Sequence, residues 1–178
     1  LMTQKIIVCY LRAGSAVLDD HILNRLAKYF APRFAGNQAE QDQEPVVHVE
    51  LFFPHAHNPE GGLSAGIHYG GRAFMHPKKF SRNNWVFHSI PATNEQVARA
   101  KAFCQRQQGS PFNNRGFYLP TFLNWSHSSR LSGIHAKKKM PWYCSELVAY
   151  TLMDAGLLDK EQTLLARTHP NAAYHVIQ

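Results

Sequence analysis

The sequence predicts an α+β fold, an antiparallel sheet packed against helices. Two observations carry this. Between positions 46 and 90, short runs rich in valine, isoleucine and aromatic residues follow one another, divided by glycine and proline rather than by helical periods. This strand-rich part lies between stretches whose apolar residues recur at three- and four-residue spacing, the period of an amphipathic helix. The 178 residues are expected to form one domain, 1–178, long enough to bury a core without staples.

In chain order, Lys5 to Leu11 carries Ile6, Ile7, Val8 and Tyr10, a strand, and Arg12-Ala13-Gly14-Ser15 turns the chain. Asp19 or Asp20 can cap a helix in which Ile22, Leu23, Leu26 and Phe30 share a face, stopped by Pro32. Ala35 to Pro45 is a polar, exposed loop. Val46 to Phe53 is a strand, its alternation putting His48, Glu50 and Phe52 on one face and Val47, Val49, Leu51 and Phe53 on the other. Pro54 to Gly62 is a turn or a longer hairpin loop. Leu63 to Tyr69 and Arg72 to Met75 are the next antiparallel strands, joined by Gly70-Gly71, and Asn84 to Ile90 is another. Thr93 caps a helix from about Asn94 to Gln107, with Val97, Ala100, Phe103 and Cys104 inward and Gly109-Ser110-Pro111 at its end. Phe112 to Met140 is irregular, and a loop that long in a compact domain is usually functional. After Pro141 a buried helix begins at or near Cys144, with Leu147, Val148, Thr151, Leu152 and Ala155 on its face and Gly156 at its end. The tail from Ala166 to Gln178 holds Thr168-His169-Pro170 and a short apolar end.

The formal charge of +7 favours anionic partners, yet the only tight basic run is Lys137-Lys138-Lys139, read first as a solvated loop, so no nucleic acid is firmly implied. Three widely spaced cysteines form neither a disulfide framework nor a zinc pair and fit a reducing compartment. Lys5 to Leu11 is too short for a signal peptide and no run reaches the ~18 apolar residues of a membrane span, so the expected location is the cytoplasm. Neither Gly61-Gly62 nor Gly70-Gly71 opens a phosphate-binding helix. His55 and His57 share a loop, a weak metal pair, and His68 and His88 read as satisfied or half-exposed strand histidines. No metal and no cofactor is expected.

The chemistry sits in two short stretches. A cysteine in the first turn of a helix meets unpaired N–H groups and the positive end of the dipole, which favour a nucleophilic thiolate. Cys144 occupies such a position, although a lone cysteine is more often a structural one. Residues i and i+2 of a strand emerge side by side, so the Glu50 carboxylate can hold the His48 ring, or both can simply meet water. Glu146 is a rival third residue, but two positions along a helix point it away from Cys144.

His48-Val49-Glu50-Leu51, the later Gly-Gly strands and Trp142-Tyr143-Cys144-Ser145-Glu146-Leu147 resemble the permuted branch of the NlpC/P60 papain-like superfamily. In papain-like folds the Cys helix normally precedes the His strand, and in the permuted branch the strand comes first, as it does here. The likeness runs from Leu11-Arg12-Ala13-Gly14 to the segment closing at Ile177. It implies a circularly permuted papain-like fold and a thiol hydrolase of peptidase or amidase type acting on an amide or ester. Cys144 would be the nucleophile, His48 the base and Glu50 the orienting residue, with Tyr143 shaping the substrate pocket. Related folds cut peptidoglycan peptides, remove protein modifiers, deamidate or move fatty acyl chains. The partner is therefore a peptide, amide or acyl substrate. The alternatives are an acyltransferase or thioesterase on a lipid acyl chain, or a non-catalytic binding or structural protein that keeps the fold.

Overall fold

The computed structural model describes residues 4–12, 46–80, 84–113 and 139–177. They hold strands β1 (Gln4–Arg12), β2 (Val46–His55), β3 (Asn58–Gly66), β4 (Phe74–Lys78) and β5 (Trp85–Ala92). The helices are α1 (Asn94–Gln107), α2 (Cys144–Asp154), α3 (Lys160–Ala166) and α4 (Pro170–Val176). The helix expected over Asp19 to Phe30, the loop from Ala35 to Pro45 and most of the Phe112-to-Met140 segment lie outside the described residues. The architecture is α+β, with a five-stranded antiparallel sheet of order β4-β3-β2-β1-β5. No helix among the described residues is long and apolar enough to cross a membrane.

The register divides the sheet into two unlike faces, because paired residues of neighbouring strands project the same way. Val8 faces Leu51 and Tyr10 faces Val49, and with Ile6 and Phe53 they form the buried apolar face under the helices. The Tyr10 hydroxyl donates to the Ala173 carbonyl of α4 at 3.3 Å, which ties that helix to the sheet. On the opposite face Cys9 pairs with Glu50 and Leu11 with His48. The register shifts between Leu11 and Arg12, leaving Val47 as the extra residue of a bulge beside His48.

Two sequence expectations shift here. Pro54 to Gly62 is not a long loop: β2 runs on to His55, Ala56-His57 make the turn, and Pro54 pairs with Gly62. Past Phe52, among the described residues, only β3 flanks β2, so the N–H that proline lacks breaks no ladder to β1. Gly62 is a close approach and not a turn, since a Cβ there would stand 2.8 Å from the Phe52 ring and collide with the Phe53 carbonyl oxygen. Further on, α3 lies between Gly156 and the tail and α4 lies within the tail, two helices for which the sequence pattern carries no expectation.

The two long helices follow the sequence closely. α1 opens on a capping box in which the Thr93 hydroxyl accepts from the Gln96 N–H at 3.2 Å and the Gln96 side chain accepts from the Thr93 N–H at 2.9 Å. α2 starts at Cys144 and is followed by Gly156 at φ +73°, the left-handed conformation that ends helices. It packs against β2 and against the other three helices, so every residue from Cys144 to Leu152 is buried.

Candidate active site

Three chain segments carry the start of α2 to the end of the sheet. Residues 71–73 lead into β4 and hold residues 109–112 through Phe112 N–H to Gly71 O at 3.0 Å, Ala73 N–H to Ser110 O at 2.8 Å and Gly109 N–H to Ala73 O at 2.8 Å. That segment in turn grips Trp142, whose N–H donates to Pro111 O at 3.0 Å and whose carbonyl accepts from Asn113 N–H at 2.9 Å. The Trp142 ring is buried and its Nε1–H donates to the Gln107 side chain at 3.0 Å. Cys144 follows two residues later, fixed by this clasp on one side and by its helix on the other.

Cys144 is the first residue of α2, so its own N–H has no acceptor within the helix. Tyr143 is the N-cap, half-buried, its ring edge-on to Phe112 at 5.7 Å. Glu146 turns back on its own helix, accepting from the Tyr143 N–H at 3.3 Å. It is thereby engaged in capping, while a different carboxylate serves the histidine.

That carboxylate is Glu50. His48 Nε2 lies 3.1 Å from Glu50 Oε1, and Cys144 lies near enough to His48 to raise its pKa by hydrogen bonding and charge. With Nε2 turned to Glu50, Nδ1 is the ring nitrogen left for the thiol. The structure therefore brings together Cys144, His48 and Glu50, which lie far apart in the sequence, and sets Tyr143 next to Cys144 along the chain. Burial would lower the His48 pKa, but the hydrogen bonds and charges of Cys144 and Glu50 outweigh it and lift the value to about 9.

Glu50 is fully buried, and three side chains engage its carboxylate. Besides His48, the Ser64 hydroxyl donates to Oε2 at 2.6 Å, and the Lys78 ammonium contacts Oε1 at 2.8 Å and Oε2 at 2.7 Å. Burial alone would raise this acid's pKa, yet His48 and Lys78 hold it down at about 2. Gly66 supplies the floor, for a Cβ there would come within 2.9 Å of Glu50 Cγ.

Aromatic rings frame the imidazole. His68 stacks on His48 at 5.1 Å, Phe74 on His68 at 4.8 Å and His76 on Phe74 at 4.5 Å, while Trp85 meets His48 edge-on at 6.0 Å. His68 keeps part of its ring in solvent. Its packing in the stack and the neighbouring positive charge of His48 push its pKa down, opposite to that of His48. Among the described residues the other two thiols, unlike Cys144, have no imidazole partner: burial, then the Glu50 charge, pushes Cys9 well up, and burial pushes Cys104 up to about 12.

Sequence spacing showed no metal cluster, but the fold gathers His48, Glu50 and His68 with donor atoms within 4.8 Å of one another. Lys78 already covers both carboxylate oxygens and its charge opposes a cation there. Sequence reasoning also missed Ser64 and Lys78. They lie 14 and 28 residues from Glu50, and only the strand register brings them to it. Comparison of the chain with protein-family models, with curated proteins and with solved structures finds no match.

Proposed function

We propose that this protein is a thiol hydrolase of peptidase or amidase type, built as a circularly permuted papain-like fold. The observation that carries the reading is His48, bonded to the buried Glu50 at 3.1 Å and within electrostatic reach of Cys144 at a helix start. An imidazole between a thiol and a carboxylate is what cysteine hydrolysis requires.

With a pKa near 9, His48 is largely imidazolium at neutral pH, and its electrostatic partner is the Cys144 sulfur. The sulfur attacks the substrate carbonyl carbon, a C–S bond forms, and the carbonyl electron pair moves to oxygen. The Cys144 N–H, free of an intrahelical acceptor, is placed to donate to that oxyanion. Collapse breaks the bond to the leaving amine or alcohol as His48 gives up its proton to it. His48 then takes a proton from water, the hydroxide attacks the thioester, and the acid leaves as the C–S bond breaks and the ion pair returns. Glu50 holds the ring throughout.

A second reading, an acyltransferase or thioesterase on a lipid acyl chain, has one observation in its favour. Phe80 packs against Phe52, Trp85 and Phe87 at 5.4, 4.8 and 5.9 Å beside the His48 ring, and Phe87 is 39% exposed. Mass spectrometry after exposure to amide-mimic, ubiquitin-like and long-chain acyl electrophiles separates the two. Adducts on Cys144 with amide mimics support the peptidase or amidase reading, and adducts with acyl probes alone support the second. No adduct on Cys144 with any probe would overturn both.

A further inference from the structure

We propose that Lys78 is a positioning residue of this site, acting on His48 through Glu50. The proposal rests on the thiol-hydrolase reading and adds a fourth side chain to it.

The fold makes a path for this lysine. Lys78 stands on β4 and Glu50 on β2, with β3 between them. On the face they share, β3 presents only Gly62, Ser64 and Gly66, paired with Lys78, His76 and Phe74. No β3 side chain larger than serine stands in the way, so the lysine stem crosses a whole strand to reach both carboxylate oxygens, at 2.8 and 2.7 Å. Its ammonium is braced over the Phe80 ring at 4.6 Å and the Trp85 ring at 4.8 Å. Trp85 is also the ring set edge-on to His48, so the same element steadies the lysine and the imidazole.

Among the described residues, the ionisable groups around Glu50 are His48 on its own strand, Cys9 from β1, His68 following β3 and Lys78 from β4, with His76 of β4 acting on His68. Of these, Lys78 is the cation that carries no proton the reaction must move. A fully buried carboxylate with His48 as its sole cation would either take up a proton or hold the imidazolium proton too tightly to release it. Lys78 removes that choice. It keeps Glu50 ionised and shares its charge, so His48 stays oriented and can still give its proton to a leaving group. Two ammonium–oxygen contacts also fix the carboxylate plane, and with it the rotation of the ring 3.1 Å away.

The test follows the His48 ring signals by NMR against pH in the wild type, Lys78→Met and Lys78→Arg, beside kcat and KM on an accepted probe. In the wild type, His48 should titrate near 9 and show no step between about pH 5 and 7, above the titration of the stacked His68 at about 4. In Lys78→Met, Glu50 should gain its proton within that window and appear as a step in the His48 signal. The kcat should fall about 10- to 100-fold with KM little changed, and Lys78→Arg should restore most of both. Lys78→Gln, which keeps a donor without the charge, should show the same step if the methionine variant fails to fold. A folded, charge-free variant whose His48 profile matches the wild type would overturn the role of Lys78. A wild-type His48 titrating near an ordinary 6.5 would instead overturn the Cys–His reading beneath it.

Discussion

The two faces of the sheet are buried by opposite physics. On one, Ile6, Val8, Tyr10, Val49, Leu51 and Phe53 meet the helices, and each apolar side chain gains by leaving water whatever its exact neighbours. On the other, Glu50 and Ser64 are just as buried, and each is tolerable only because a named partner meets it. Packing sets stability on the first face, while on the second hydrogen bonds set the charge state of a single imidazole. Changes on the two faces should therefore separate activity from stability.

Loss of the imidazole is the sharpest break. His48→Ala should nearly abolish turnover of any accepted amide or acyl probe while circular dichroism shows a folded protein. Full activity in that variant would remove the dyad. Glu50→Gln should come next, an intermediate loss of about ten- to a thousandfold, because the amide keeps an acceptor and loses the charge. Glu146→Gln should do far less, since that side chain caps α2 from within. The reverse order for these two would exchange their roles.

The apolar face should answer in the other coordinate. Leu51→Ala deletes a core side chain that is 1% exposed, and should lower unfolding free energy by about 2–5 kcal/mol in urea titrations. Below its melting range, kcat should stay within about threefold of the wild type. A collapse of kcat in well-folded Leu51→Ala would show that the two faces are not separable.

The smallest effect is on stability against pH. Glu50 has a folded pKa of about 2, below its ordinary 4.5, so its contribution is complete above pH 4.5 and drains away as pH falls toward 2. His48, lifted from 6.5 to about 9, contributes fully below 6.5 and less as pH rises through 9. Urea midpoints should therefore fall off on both sides of that plateau. Glu50→Gln should flatten the acid side, and an unchanged acid slope in that variant would contradict the assignment.

Much of this was legible in the sequence, and the exceptions have physical causes. α1 and α2 announce themselves by periodicity, by Thr93 as a cap and by Gly156 as a stop. His48 and Glu50 could be paired because a strand's period is local. The hairpin after β2 is not legible because Pro54, Gly61 and Gly62 look like turn residues, whereas Gly62 is there to let the Phe52 ring lie close. At seven residues each, α3 and α4 are too short for periodicity to show. Their caps were the available signal: Asp159 with Gln162 bonding back, and Pro170 opening α4 behind His169. Ser64 and Lys78 reach the site only through strand register, and His68 through the turn of the chain after β3, none of which a local pattern encodes.

If His48 makes Cys144 the reactive thiol, iodoacetamide at about pH 6 will tell. Mass spectrometry of the native protein, residue by residue, should find Cys144 modified well ahead of Cys9 and Cys104, although all three are buried. In His48→Ala that lead should vanish. Equal labelling of the three thiols, or a lead for Cys144 that survives the loss of His48, would contradict the pairing on which the proposed chemistry stands.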